Sequence, residues 1–490
     1  MADANQFSRA DVSADLPPPV GDDVGETDRV TPSEASIGGS SPKPPFRRRR
    51  LAGALLRSLI AVLVGSLILR LASHAMGQMT QFYLDHISGR YYHISYTTRG
   101  YVIASFFVTE LLGSLVLGAM SDRYGRKVFI ILGPLLGAIA VQVTAMTSVL
   151  WVLVFARLLA GLSTGSSVPA TLGYISEATV GRPTLRARVV GLFEITLVGG
   201  FAIGSFVAGN LWKSFGNPRT VAGIELLAPA FSIDALIFLV ALAIFAWGFR
   251  DKRRKASSTS SIPSARRKLA HYYEVFKSPS VRMFSPAWLS IFSIVGVWTN
   301  HSVGLFTGSE RFHDQMIMGS ISPAKFGNGS AMLLGLFAAG VLGWSFILAR
   351  YRKTSVMLAS TFALFGLLLT VLGLNHLGSF SSVFYYLLVV SLLIEVLVLS
   401  GFTPAALTYL ADVTENYAAD RGSIMGLYSV FLGIGQLVGT SLGGYFADWN
   451  GVDGLLLLSA ILGGITAISL LSLRRHEKTA TRLASVAISE

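Results

Sequence analysis

The chain has 490 residues, of which 52% are apolar and only 14% are charged, and its mean hydropathy is +0.58. A soluble domain carries about 25% charged residues, so this composition excludes a soluble enzyme, a disordered protein and a fibrous protein. The net charge is +13 and cysteine is absent, which excludes disulfides, thiolate metal sites and cysteine nucleophiles.

The first 46 residues differ from the rest of the chain. They are rich in Pro, Ser, Gly and Asp, with eight acidic and three basic residues, a composition typical of disorder. The run Arg47–Arg50 follows directly before the first apolar stretch. Basic residues collect on the cytoplasmic side of membrane proteins, so this run predicts a cytoplasmic N-terminus and no nucleic-acid partner. We expect 1–50 to be a disordered cytoplasmic tail that ends in a basic run.

Apolar runs of about 20 residues, the length that crosses a bilayer, follow one another along the remaining chain. They predict an all-α integral membrane protein. Its twelve expected transmembrane helices are 54–76, 100–120, 128–147, 149–172, 189–212, 227–249, 285–308, 327–349, 354–374, 381–409, 421–446 and 453–473.

The distribution of basic residues orients these helices. If the N-terminus is cytoplasmic, the cytoplasmic segments hold 31 of the 40 Lys and Arg residues, as the positive-inside rule requires. We therefore expect a multi-pass protein of the cell membrane, plasma or inner, with both termini in the cytoplasm. A hydrophilic linker, 250–284, separates a six-helix half at 51–249 from a second at 285–474, and 475–490 forms a cytoplasmic tail.

The two halves share a sequence repeat at an offset of 235 residues. Tyr174–Thr179 matches Tyr409–Thr414, and Arg186 matches Arg421. The repeat predicts two pseudo-symmetric halves around a central site, an arrangement used by transporters. Glycines mark one face of spans five and eleven. Small residues let membrane helices approach closely, so these faces indicate either static packing or an interface that moves during transport. The glycines are Gly191, Gly200, Gly204 and Gly209 in span five, and Gly426, Gly435 and Gly439 in span eleven.

A short basic turn joins spans two and three. Its residues read Gly118-Ala-Met-Ser-Asp122-Arg123-Tyr-Gly125-Arg126-Lys127. Gly125 permits a tight turn. Asp122 lies at the membrane surface, where a carboxylate needs a neighbouring arginine or a helix N-terminus as partner.

With this loop and the twelve-span frame, the sequence resembles the major facilitator superfamily of secondary transporters over about 51–474. The loop is similar to the superfamily signature G-x-x-x-D-R-x-G-R-K. The resemblance implies that the loop braces the two halves on the cytoplasmic side and is released during switching. It also implies a monomer. In the second half, Arg350–Lys353 keeps the cations of this loop but lacks the aspartate.

Two further motifs carry the resemblance. Arg157, followed by Gly161 and Gly165, is similar to an arginine signature in span four that is linked to proton movement. Span five resembles the glycine signature of proton-driven drug antiporters, although Ser205 stands where that signature has proline.

Five ionisable residues are expected near the middle of the membrane, about 18 to 25 Å from the cytoplasmic end at 1.5 Å per helical residue. Intramembrane charges are costly and mark functional sites or buried ion pairs. A buried carboxyl group holds its proton more tightly and a nearby arginine favours its release, which would couple transport to protons. The residues of this predicted substrate and proton pathway are Arg70, Glu110, Arg157, Asp234 and Glu395.

The sequence contains no nucleotide-binding loop and no metal-ligand cluster, so we expect no cofactor, no metal and no enzyme activity. The first hypothesis is a secondary active transporter that exports drugs or metabolites, coupled to protons. The alternatives are uptake of an organic anion or sugar, with Arg70 and Arg157 holding an anion, and a membrane scaffold or sensor that transports nothing.

Overall fold

The computed structural model describes residues 45–91, 93–221, 223–248, 279–308, 312, 314–377, 383–413 and 421–489. Residues 1–44 of the predicted tail and most of the central linker lie outside these ranges, whereas 45–50 form the start of the first helix. The helices are α1 Pro45–Arg90, α2 Tyr96–Tyr124, α3 Arg126–Ala145, α4 Leu150–Ala178, α5 Pro183–Phe215, α6 Pro229–Gly248, α7 Pro279–Thr307, α8 Pro323–Ile347, α9 Lys353–His376, α10 Val383–Leu399, α11 Phe402–Val413 and α12 Arg421–Ser489. Two short antiparallel strands, β1 Arg219–Val221 and β2 Ile224–Leu226, lie between α5 and α6.

The predicted set of membrane spans is confirmed. Eleven stretches of the described helices are long and apolar enough to cross a membrane. One of them, Val430–Thr479, has 50 residues and carries the last two predicted spans. The backbone leaves helical geometry there at Asn450 and Gly451, and Gly451 has a φ of 54°, which glycine tolerates.

The first helix is longer than the sequence predicts. The apolar run ends at Met76, but α1 continues to Arg90. The polar residues that end the run, such as Gln78 and Gln81, are only 5% and 4% exposed. They are buried among neighbouring helices, so they do not mark a loop.

The predicted span 381–409 is present but is not one continuous helix, because a turn at Ser400 and Gly401 divides it into α10 and α11. Pro404 has no N–H to donate to the carbonyl four residues earlier. In addition, the indole of Trp344 donates to the carbonyl of Leu397 (2.9 Å). A side chain that enters the hydrogen-bond ladder in this way bends a helix.

The repeat is visible in how each half packs on its own first helix. In the first half, a Cβ at Gly200 of α5 would lie 2.6 Å from the Cβ of Arg70 on α1. At the equivalent place in the second half, a Cβ at Gly435 of α12 would lie 2.5 Å from the Cβ of Phe292 on α7. The two halves therefore use corresponding glycines for corresponding contacts, as pseudo-symmetry requires. Gly204 and Gly439 continue these two contacts, against Leu71 and Ser293.

Helices α5 and α12 also pack against helices of the opposite half. A Cβ at Gly209 of α5 would lie 2.5 Å from the carbonyl oxygen of Pro323 at the start of α8. The equivalent Gly444 of α12 would place its Cβ 2.6 Å from the carbonyl oxygen of Tyr96 at the start of α2. A Cβ at Gly191, by contrast, would have no atom of the described residues within 4 Å, and the surroundings of Gly426 lie outside what the structure describes.

The halves meet at the end of the molecule where α1 ends and α2 begins, which we call the α1–α2 end. In the described part of the chain, every hydrogen bond between the halves lies there. These bonds join Gln81 to Thr299 (3.2 Å), Tyr101 to Tyr445 (2.7 Å), Asn210 to Asn328 (2.9 Å), and Tyr96 and Thr97 to Asp448 (2.6 and 2.8 Å). The structure is therefore a conformation closed at the α1–α2 end.

Candidate functional site

Two glycines of α4 bring the α2 backbone close to the centre of the first half. A Cβ at Gly161 would overlap the carbonyl oxygen of Phe106, and one at Gly165 would lie 2.9 Å from the carbonyl oxygen of Glu110. The hydroxyl of Thr109 donates across the same contact to the carbonyl of Leu158 (2.7 Å). These small residues fix the place of Glu110 against α4.

Four charged side chains form one electrostatic group in this region, which we call the charge group: Arg70 on α1, Glu110 on α2, Arg157 on α4 and Glu194 on α5. Glu110 interacts with both arginines, and Arg70 also interacts with Glu194. The structure thus brings together three of the five predicted pathway residues. Glu194 was not among the predicted pathway residues and joins the group through its interaction with Arg70.

Arg157 is held without a direct ion pair among the described residues. It is 4% exposed, and its guanidinium carbon lies 4.9 Å from the ring centre of Phe106, in the range of a cation–π interaction. Its Nε has no hydrogen-bond partner among the described residues. A buried donor without a hydrogen bond costs free energy. The Nε–H group of Arg157 would therefore gain from a hydrogen bond to water or to a bound molecule.

The other two predicted pathway residues have different surroundings. Asp234 on α6 is fully buried, and neither carboxylate oxygen has a hydrogen-bond partner in the described part of the chain. Glu395 on α10 accepts hydrogen bonds from Thr370 (3.1 Å) on α9 and from Ser391 (3.0 Å). Glu395 therefore belongs to a polar contact inside the second half, apart from the charge group.

The charge group has the chemistry for binding a proton or a cation. Two arginines and two glutamates carry no net charge when all are ionised, and a proton or a cationic ligand adds one positive charge. Charges inside a membrane protein act over a longer range than in water, because the local dielectric is low. A cation bound near Glu110 would therefore disfavour a proton on its carboxyl group, and a proton there would disfavour the cation.

The loop between α2 and α3 is organised by Arg126. Its guanidinium pairs with Asp122 and with Glu177 at the end of α4 (3.1 Å), and it donates to the hydroxyl of Ser121 (2.8 Å). The carboxylate at the membrane surface thus has an arginine partner. Gly125 supplies the turn, with a φ of 100°.

The other residues of the loop also contact the first half. Lys127 donates to the carbonyl of Ala246 on α6 (3.3 Å). A Cβ at Gly118 would lie 3.1 Å from the Cβ of Pro169 on α4. Within the described residues, the polar contacts of the loop stay inside its own half, so its predicted action as a brace between the halves stays a prediction.

Replacing Arg126 with alanine is expected to lower the melting temperature by a few degrees, because Asp122 and Glu177 lose their shared cation. The arginine side chain is 14% exposed and that of Asp122 is 44% exposed, which places the loss at about 1 kcal/mol. Thermal unfolding in detergent measures this. The control is Arg123→Ala, since Arg123 stacks on Tyr124 at 5.5 Å and is exposed. Equal shifts for the two variants would contradict the assignment.

Ser205 has a partner that sequence reasoning did not find. Nε2 of His74 lies 3.0 Å from its hydroxyl, and the imidazole stacks on Phe201 with ring centres 4.8 Å apart. The residue that replaces the proline of the antiporter signature thus ties α5 to α1. The signal available in the sequence was a polar residue at that position together with a histidine on an apolar helix.

Three potential metal ligands also come together, although the sequence predicts no metal site. Ligand atoms of Asp314, His376 and Asp453 lie within 4.8 Å of one another. His376 pairs with Asp453 at 2.8 Å, and Asn375 donates to the same carboxylate at 2.9 Å. This network joins the end of α9 to the second part of α12.

Twelve predicted spans occupied by helices, two halves that meet at one end and a charge group within the spans define a multi-pass membrane transporter. The sequence pattern of the Major Facilitator Superfamily matches residues 51–368 and 315–487, and the chain belongs to this superfamily. It is a transporter of small molecules and not an enzyme.

The relatives agree with this assignment. The chain is similar to multidrug resistance protein 1 of Bacillus subtilis, with 25% identity over 363 residues, 73% of this chain and 82% of that protein. The class C tetracycline resistance protein of Escherichia coli is 35% identical over 138 residues, 27% of this chain and 34% of that protein. The crystal structure of the nucleoside transporter NupG has the same fold, with a TM-score of 0.62 and 14% identity over 84% of this chain and 98% of that one.

Proposed function

We propose that this protein exports small, largely apolar organic molecules, cations among them, from the cytoplasm in exchange for protons, as a monomer in the cell membrane. The observation that carries the proposal is that Glu110 interacts electrostatically with both Arg70 and Arg157 in the charge group. A carboxylate at this place takes either a proton or a cationic substrate. That competition is the basis of antiport.

The charge group favours cations over anions as substrate. Each arginine of the group has a glutamate as electrostatic neighbour, so the group as a whole has no net positive charge when all four side chains are ionised. In the described part of the second half, the charged residue in the middle of a span is Glu395. An organic anion would therefore enter a site without excess positive charge.

The basic residues support the orientation of the transport cycle. Because 31 of 40 Lys and Arg residues lie on one side of the predicted spans, we place the α2–α3 loop and both termini in the cytoplasm. The α1–α2 end then faces the outside. A conformation closed at that end is the one from which an exporter takes up its substrate.

Transport by purified protein in lipid vesicles tests the proposal. An apolar cationic dye such as ethidium is supplied outside vesicles with an acidic lumen, and its entry is followed by fluorescence. We expect accumulation that depends on the pH gradient and stops when a protonophore removes it. Gradient-driven movement of organic anions or sugars instead would support the uptake alternative, and no flux of any of these compounds would support the scaffold.

A further inference from the structure

Two of the first three N–H groups of α2 donate to the other half of the molecule. The first N–H groups of a helix have no partner within the helix. The regular i→i−4 ladder of α2 begins with Arg99, which donates to the carbonyl of the N-cap Ser95 (3.0 Å). Of the three N–H groups before it, that of Thr98 donates to the hydroxyl of Ser95 (3.2 Å). The remaining two, of Tyr96 and Thr97, donate to the two carboxylate oxygens of Asp448 at 2.6 and 2.8 Å.

The start of α2 is fixed firmly within the first half. Arg99 is 3% exposed, pairs with Asp85 of α1 at 3.0 Å and lies 4.6 Å from the ring centre of Tyr96. It also donates to the carbonyl of Ile94 (3.1 Å). The start of α2 therefore moves with α1, and any separation of the halves at the α1–α2 end must break the contact with Asp448.

Close packing surrounds the carboxylate. A Cβ at Gly444, one turn before Asp448, would lie 2.6 Å from the carbonyl oxygen of Tyr96, and one at Gly100 would lie 2.9 Å from the carbonyl oxygen of Thr440. The hydroxyl of Tyr101 donates to that of Tyr445 (2.7 Å). These contacts place α12 so that a short acidic side chain reaches both N–H groups.

The repeat shows that this contact exists on one side only. At the offset of 235 residues, the position of Asp448 corresponds to Lys213 at the end of α5. A lysine has no acceptor for the N–H groups of a helix start, and its charge is unfavourable at that end. The corresponding contact with α8 uses uncharged amides, Asn210 and Asn328.

We propose that Asp448 is a gate residue: by capping α2 from the opposite half, it holds the α1–α2 end closed and sets the equilibrium between the two conformations of the transport cycle. Opening this end exposes the two N–H groups and the carboxylate to water separately. The favourable interaction of an acidic group with a helix N-terminus is then lost. That the closed side is the outside rests on the orientation given under Proposed function.

The absence of cysteine allows a direct test. Ile103 is 2% exposed and lines the junction of α1, α2 and α7 beside Gln81 and His301. In cells that carry Ile103→Cys, a membrane-impermeant maleimide added outside reports the opening of this end. We expect Asp448→Asn to raise the labelling rate about twofold to tenfold, the range for loss of an exposed charged cap.

The matched control is Lys213→Gln, which removes a charge at the repeat-related position and should leave the rate unchanged. Asp448→Glu keeps the carboxylate and should give a rate between those of the parent and Asp448→Asn, which provides a second reading if the asparagine variant does not accumulate. A rate equal to the parent for both Asp448 variants would overturn the proposal. Labelling that occurs only in inside-out vesicles, yet still rises with Asp448→Asn, would overturn the orientation and leave the gate role intact.

Discussion

Replacing Glu110 with glutamine is expected to abolish uphill transport while exchange of substrate across the membrane continues. Glutamine resembles the protonated carboxyl group in shape but cannot release a proton, so the step that links substrate movement to the pH gradient is lost. The neighbours Arg70 and Arg157 would then face a neutral amide. We expect the accumulation ratio to fall to about one, with counterflow kept within about tenfold of the parent rate.

The measurement uses vesicles with an imposed pH gradient for uphill transport, and vesicles preloaded with unlabelled substrate for exchange. Glu395→Gln is the matched comparison, because it is the same change in a carboxyl group that hydrogen bonds to Thr370 and Ser391 in the other half. We expect this variant to concentrate substrate. If Glu110→Gln concentrates substrate and Glu395→Gln does not, coupling belongs to the second half and our assignment is wrong.

The positions of the helices could be predicted from the sequence because the bilayer imposes a simple rule of length and polarity. That rule fails where the protein itself supplies the surroundings. Gln78 and Gln81 are polar but buried within α1, so hydropathy ended the helix too early. The helix breaks just before Pro404, whereas the repeat-related Pro169 lies inside the continuous α4, so a proline by itself does not predict where a helix ends.

The candidate site was predictable in part for a similar reason. The cost of charge in a membrane identified Arg70, Glu110 and Arg157 from the sequence. The same cost did not show that Asp234 lies apart from these three residues, since depth along a helix does not show which way a side chain points. Asp448 was missed because it lies at the end of a span, where a carboxylate is common, and its role depends on a helix start 351 residues earlier in the chain.

The second large effect on transport is expected from a substitution at the contact between α5 and α8. The atoms nearest to Gly209 there belong to the backbone, so no flexible side chain can move aside. A Cβ at Gly209 would lie 2.5 Å from the carbonyl oxygen of Pro323 and 3.0 Å from the Cα of Gly327. We therefore expect Gly209→Val to disfavour the closed conformation by about 1–3 kcal/mol, the usual cost of overpacking. This corresponds to a shift of about fivefold to 150-fold in the equilibrium between conformations.

The expected result is a loss of transport in the same range, about fivefold to 150-fold, since a transporter held open at one end cannot complete its cycle. Labelling of Ile103→Cys from outside should rise in the same variant, which separates a conformational shift from simple loss of protein. Gly191→Val is the control, because it carries the same cost of a β-branched residue in a helix at a position with open space around it. If both valine variants transport equally well, the close contact at Gly209 does not limit the cycle, and the α5–α8 contact would be a place where the two helices slide without separating.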